Sequence, residues 1–260
     1  MQGEIGNWLQ LIFRWLHLVA GILWIGHLWF FNFVNAHVAK TFDADTKKKV
    51  VPELMPRALY WFRWGAAWTW ISGFLLLGLV YYMGGALFAD PTAEGNNPML
   101  WLGVLVVVLI VGFLLYNTIM NAVKNIMVAN IILLVLLAGV YFLLNEVGGY
   151  SGRALYIHVG SIMGTIMAMN VWMVIWPSQK KIIQAIKDGN APDAALVAKA
   201  GARSRHNTFM SVPLIFTMIS NHYPTVYGSD LAAVYLAVTL AIGFIVTWLL
   251  FNKSAKVPAF

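Results

Sequence analysis

The run RWLHLVAGILWIGHLWF, Arg14 to Phe30, sets two histidines in an otherwise apolar and aromatic stretch. Ionisable groups at membrane depth are costly, and they usually face the protein interior, paired or liganded. Neutral imidazole is the commonest metal ligand and a usual axial ligand of haem iron. The chain has six histidines: His17, His27, His37, His158, His206 and His222. If its N-terminus lies outside, His17 falls about ten residues into the first apolar segment and His158 about six into the fifth, at a rise of about 1.5 Å per residue. His222 ends the sixth segment on the same side. These three share a depth in the outer leaflet. His27 lies about 15 Å deeper than His17 and about 80° further around the helix.

Two histidines at one depth on separate helices suit a haem b clamped between them, with His17 and His158 as its ligands. The neighbouring residues suit a flat ring. Gly21 is one turn from His17, and Trp24 follows. The run HVGSIMGTIMAMN presents Gly160, Gly164 and Ala168 at four-residue spacing, which lets a helix or a porphyrin approach closely. Arg14 and Arg153, near the outer surface, are placed to pair with haem propionates. His222 at the outer mouth is a second ligand or a proton acceptor, since imidazole titrates near ambient pH. His27, His37 and His206 read as histidines held by hydrogen bonds to neighbouring helices. Asn32, Asn35, Asn117, Asn121 and Asn170 have the same reading.

The elements that must position these residues are apolar. Of 260 residues, 60% are hydrophobic and 10% charged, against roughly 25% charged in a soluble domain. The chain reads as an all-α, polytopic membrane protein. It has no cysteine, which excludes disulfides, iron–sulfur clusters and covalent CxxCH haem attachment within it. The net charge of +7 does not indicate nucleic acid, because the basic residues lie between apolar segments. MQGEIGN carries no basic n-region, so no cleavable signal peptide is expected.

Seven apolar cores stand out, at 7–35, 57–84, 98–119, 125–145, 152–176, 206–222 and 231–251. The third and fourth require a turn near YNTIMNAVKN, Tyr116 to Asn125. Lysines 40, 47–49, 124, 180, 181, 187, 199, 253 and 256, with Arg203 and Arg205, all fall on one side of seven spans. The positive-inside rule then puts the N-terminus outside and the C-terminus in the cytoplasm. The expected architecture is one transmembrane domain over 1–260, with a cytoplasmic loop at 177–205 lying against anionic lipid heads of the bilayer. A short helix is expected at Ala194–Arg203. The segment SRHNTFMSVPLIFTMISNHYP, Ser204 to Pro224, is a short span containing Pro213, expected to bend and to line a cavity.

Four blocks carry a resemblance: RWLHLVAGILWIG with FFNFV, PRALYWFRWGAAWTWISG, HVGSIMGTIMAMNVWMVIWPSQ and SRHNTFMSVPLIFTMISNHYP. In this order they resemble the membrane domain of the bacterial urate hydroxylase family (PuuD type), the urate oxidase N-terminal family. The resemblance implies a bacterial inner-membrane protein that oxidises urate to 5-hydroxyisourate. Many members carry a C-terminal cytochrome c domain that receives the electrons. This sequence has no CxxCH, so a separate cytochrome c or respiratory complex is the expected acceptor. Arg14 or Arg153 would then orient the urate anion. Two other readings stand beside this one. The chain could be a non-catalytic membrane subunit of a respiratory complex, or a transporter using its histidines as a metal or proton path.

Overall fold

A computed structural model describes residues 3–258. Among these residues the fold is helical, with an isolated bridge between Phe88 and Tyr150. The α-helices are α1 (Glu4–Trp29), α2 (Ala36–Thr41), α3 (Ala44–Leu77), α4 (Pro98–Ala122), α5 (Ile126–Phe142), α6 (Gly152–Met169), α7 (Trp176–Lys187), α8 (Ala194–Ile219), α9 (Pro224–Tyr227) and α10 (Ala232–Ser254). π-Helical segments at Phe30–Asn35, Gly78–Tyr82, Leu143–Val147 and Asn170–Ile175 continue four of them.

Local chemistry sets the boundaries. Asn97 caps α4 by accepting from the Leu100 N–H at 3.0 Å, with Pro98 in the first turn. The turn expected near Tyr116–Asn125 falls at Val123–Asn125, where the Asn125 side chain accepts from the N–H groups of Met127 and Val128. Such caps satisfy donors left open at a helix start. The helix expected from residue 57 begins at Ala44 instead. Asp43 starts it, accepting from the Thr46 N–H at 2.7 Å. That bond also holds the Asp43 carboxyl below its ordinary range.

Six helical stretches are long and apolar enough to cross a membrane: Glu4–Thr41, Ala44–Tyr82, Pro98–Ala122, Ile126–Val147, Gly152–Lys187 and Ala232–Ser254. The sixth expected span lies within α8. That helix starts at Ala194, as expected, and runs without a break to Ile219. It carries Lys199, Arg203 and Arg205 as well as Pro213, and is not one of the six. The expected loop 177–205 is largely helical, because α7 occupies Trp176–Lys187.

The chain divides into two compact units. The first comprises residues up to Trp15, Ser72–Ile166 and Leu214–Val238. Its core holds Tyr82, Tyr150, Tyr156, His158 and Leu144. Here α6 packs tightly on its neighbours. A Cβ at Gly160 would overlap the Thr217 hydroxyl, and one at Gly152 would overlap the Tyr227 carbonyl.

The second unit comprises Leu16–Ile71, Met167–Pro213 and the chain from Thr239 onward. Gly65 of α3 sits against α1, where an added Cβ would lie 3.0 Å from the Trp24 backbone nitrogen. One face of α8 carries Ser204, Asn207, Thr208 and Ser211. Asn32 donates to Ser204 at 2.8 Å, Asn170 to Asn207 at 2.8 Å and Trp29 to Ser211 at 2.9 Å. Such bonds in lipid contribute roughly 0.6 kcal/mol each. The polar residues expected to line a cavity therefore bind helices together here.

Candidate functional site

In the first unit, the π-helical segment Gly78–Tyr82 closes with the Met83 N–H on the Gly78 carbonyl at 2.9 Å. In an α-helix, consecutive side chains diverge by about 100°. The wider π turn reduces that angle, and Tyr81 and Tyr82 both reach one imidazole. Each ring centroid lies 5.7 Å from that of His158, and Tyr150 lies 5.0 Å away on an edge.

His158 is fully buried. Its Nδ1 lies 2.6 Å from the Ala154 carbonyl oxygen, and its Nε2 lies 2.9 Å from the Tyr82 hydroxyl. A carbonyl only accepts, so Nδ1 bears the proton and Nε2 accepts from Tyr82. The Tyr82 oxygen in turn accepts from Tyr150, 3.1 Å away. The chain therefore runs Tyr150 to Tyr82 to His158. Burial pushes the Tyr150 hydroxyl up to about 12, so it keeps its proton at neutral pH.

Beside this chain lies a cationic group. Arg153 Nε donates to Asn221 Oδ1 at 3.0 Å, and the Tyr81 hydroxyl donates to the same oxygen at 2.5 Å. The Arg153 guanidinium stands 5.8 Å from the Tyr81 ring centre. Arg14 is exposed. The ion pair among the described residues is Arg57–Glu53, so neither Arg14 nor Arg153 has a carboxylate partner. The site thus gathers a guanidinium, an amide and a phenol ring.

His222 ends the 3₁₀ turn Ser220–His222 and is exposed. Its neighbour Asn221 makes the contacts to Tyr81 and Arg153. The bend expected at Pro213 would bring Asn221 with His222 to the outer mouth, whereas Tyr81, Tyr82 and Tyr150 are not marked out by spacing or charge. The SNHYP run and the paired tyrosines YY at an outer helix end were the signals available.

His17 belongs to the second unit. Its Nδ1 lies 2.9 Å from the Thr69 carbonyl oxygen, so Nδ1 donates and Nε2 carries the lone pair. A backbone carbonyl on Nδ1 is the usual support of a ligating imidazole. On the same helix face, the Trp24 indole N–H is buried without a hydrogen-bond partner. These features fit a haem with acceptor groups at its rim. His158 has a different environment: iron at its Nε2 would require Tyr82 to give up its bond. His27 is held through Nδ1 by the Leu23 carbonyl of its own helix at 2.7 Å, rather than by a neighbouring helix. His37 Nε2 pairs with the Ser254 hydroxyl at 3.2 Å. Among the described residues no cluster of three His, Cys, Asp or Glu side chains could hold a metal ion.

The fold and site define an all-helical, multi-pass membrane protein with a cationic, aromatic-lined polar cluster. Its sequence matches the urate oxidase N-terminal family over residues 3–49 and 41–259, and the chain belongs to that family. No curated protein and no solved structure matches it.

Proposed function

We propose that this protein is a haem-b redox protein of the bacterial inner membrane that oxidises urate or a related purine and passes the electrons to a separate cytochrome c or respiratory complex. The observation that carries this reading is Arg153, which donates to Asn221 beside the Tyr81 ring and has no carboxylate partner among the described residues. Urate is a planar anion with amide-like edges. Arginine presents a planar fork of donors to such an edge. Asn221 adds an amide, and the Tyr81 ring supplies an aromatic surface. Family membership supports the purine class.

His17 would hold the haem, which when bound supplies one-electron acceptance. Side chains without cysteine cannot store the two electrons that urate oxidation releases. His222, exposed beside Asn221, takes the role of proton acceptor.

The purified protein should give a b-type pyridine haemochrome spectrum and consume urate when a c-type cytochrome is supplied. Arg153→Gln should raise KM for urate by about ten- to a hundredfold, as expected for losing a charge-assisted contact of about 1.5–3 kcal/mol. His222→Ala should lower kcat while the protein stays folded. A haem-loaded protein with no turnover of urate would overturn the substrate reading, and a protein that purifies without haem would overturn the redox reading.

We further propose an outside N-terminus and a cytoplasmic C-terminus, with α8 contributing the remaining crossing. The one-sided lysines and arginines support this orientation. A reporter fused after residue 260 should be active in the cytoplasm. Activity only in the periplasm would refute it.

A further inference from the structure

In the second unit, three aromatic rings surround one guanidinium. The Arg63 side chain lies 4.0 Å from the Trp176 ring centre, 5.5 Å from Tyr60 and 6.0 Å from Trp172. The Trp172 indole donates to the Arg63 carbonyl at 3.0 Å, fixing the backbone beneath it. Yet Arg63 Nη1 is buried and has no hydrogen-bond partner. A buried donor on a charged group is costly to leave unmet, by about 1–3 kcal/mol or more. Nothing acidic lies nearby along α7, since Trp172 to Lys187 contains no Asp or Glu. Asp188, which follows, holds Gln184.

More positive charge converges on the same ring. Lys180 Nζ lies 5.5 Å from the Trp176 ring centre. α7 buries Ser178, Ile182 and Ile183 on one face and exposes Lys180 and Lys181 on the other. A groove of about 130 Å³ runs between Met173, Pro177, Lys181 and Lys199. Met173 is 64% exposed, and Trp61 and Trp64 are exposed beside Arg63 in sequence. Exposed apolar side chains adjoin the cations on the membrane-spanning segment, where acyl chains lie. Tryptophan and tyrosine at this level mark a membrane–water interface.

We propose that Arg63, Trp176, Lys180 and Lys181, with Lys199 across the groove, form a binding site for an anionic phospholipid. The headgroup phosphate meets Arg63 Nη1 and the two lysines, and an acyl chain lies along Met173. The net negative headgroup class, such as phosphatidylglycerol, is selected because the site gathers four cations and the stretch Trp172–Lys187 carries no Asp or Glu. A soluble anion would satisfy the charge and leave the apolar wall exposed.

The test is native mass spectrometry of the full-length protein in detergent, titrated with phosphatidylglycerol or with phosphatidylcholine of matched chains. Phosphatidylglycerol should be retained at least about tenfold more strongly. Each neutralised cation should weaken retention by about fivefold, as for one basic residue near an anionic surface. Lys180→Gln and Lys181→Gln alter exposed side chains, so they read binding without loss of folding. Arg63→Gln keeps a donor at the ring stack and should weaken retention at least as much. Equal retention of the two lipids, or unchanged retention in the lysine variants, overturns the proposal. Displacement of the lipid by millimolar inorganic phosphate alone also overturns it, in favour of a soluble anion.

Discussion

Gly152→Ala is expected to leave little folded protein in the membrane. Gly152 opens α6, and an added Cβ would overlap the backbone carbonyl of Tyr227. A backbone oxygen cannot swing aside as a side-chain tip can. Overpacking in a tight core costs about 1–3 kcal/mol and more when backbone must move. This position belongs at the upper end or beyond it. Gly160→Ala meets the Thr217 hydroxyl and the end of the flexible Met218 side chain, so it should be milder. Gly164→Ala is the control on the same helix, since its added Cβ would meet Leu214 Cδ1 at an ordinary 3.8 Å. Yield by fluorescence-detected gel filtration, with a thermal melt, orders the three. A Gly152→Ala protein that melts with the wild type would refute the packing argument.

Tyr82→Phe should cost about 1–3 kcal/mol while changing the shape of the core very little. The substitution removes one oxygen. That oxygen donates to His158 Nε2 and lies within hydrogen-bond reach of the Tyr150 hydroxyl, and both partners are buried. A buried polar group left unmet costs about 1–3 kcal/mol. Tyr82, Tyr150 and His158 share one network, so their effects should be non-additive, with a coupling of about 0.5–3 kcal/mol between Tyr82 and His158. A double-mutant cycle with His158→Ala, followed by thermal melts, measures it. Zero coupling would mean that the bond contributes nothing. The same variant probes haem ligation. If iron takes His158 Nε2, the Tyr82 bond is already broken and Tyr82→Phe should cost nothing.

Much of the scaffold was legible because apolar length and polar punctuation act locally. The turn at Asn125 could be read from the polar residues around it. The length of α3 could not, because KKKVVPELMP looks like a loop until Asp43 is known to cap a helix that accommodates Pro52 and Pro56. The sequence points to Arg153 and His158, and both lie in one polar cluster, but nothing in their spacing points to Tyr81, Tyr82 or Tyr150 as the side chains around them. Choosing among Ser220, Asn221 and His222 depends on a 3₁₀ turn that no hydrophobic pattern announces. The four-residue spacing of Gly160 and Gly164 suggests one notch, yet an added Cβ would overlap the Thr217 hydroxyl at the first and make ordinary contact at the second. The π-helical segments were invisible for a similar reason, since an apolar run has the same composition in either winding.

Those segments also bear on how the gene can vary. A π turn holds one residue more than the α turn it replaces. Deleting one residue among Gly78, Leu79 and Val80 would therefore not shorten the helix by a gap that must be healed. It would let the carbonyl ladder close in the ordinary way, with the flanking residues kept in phase, because the wide turn had already absorbed the extra residue. Tyr81 and Tyr82 would then diverge by the ordinary α-helical angle, and one of them would leave the His158 ring. A length change of one codon, silent in hydropathy, would act there on the aim of two side chains.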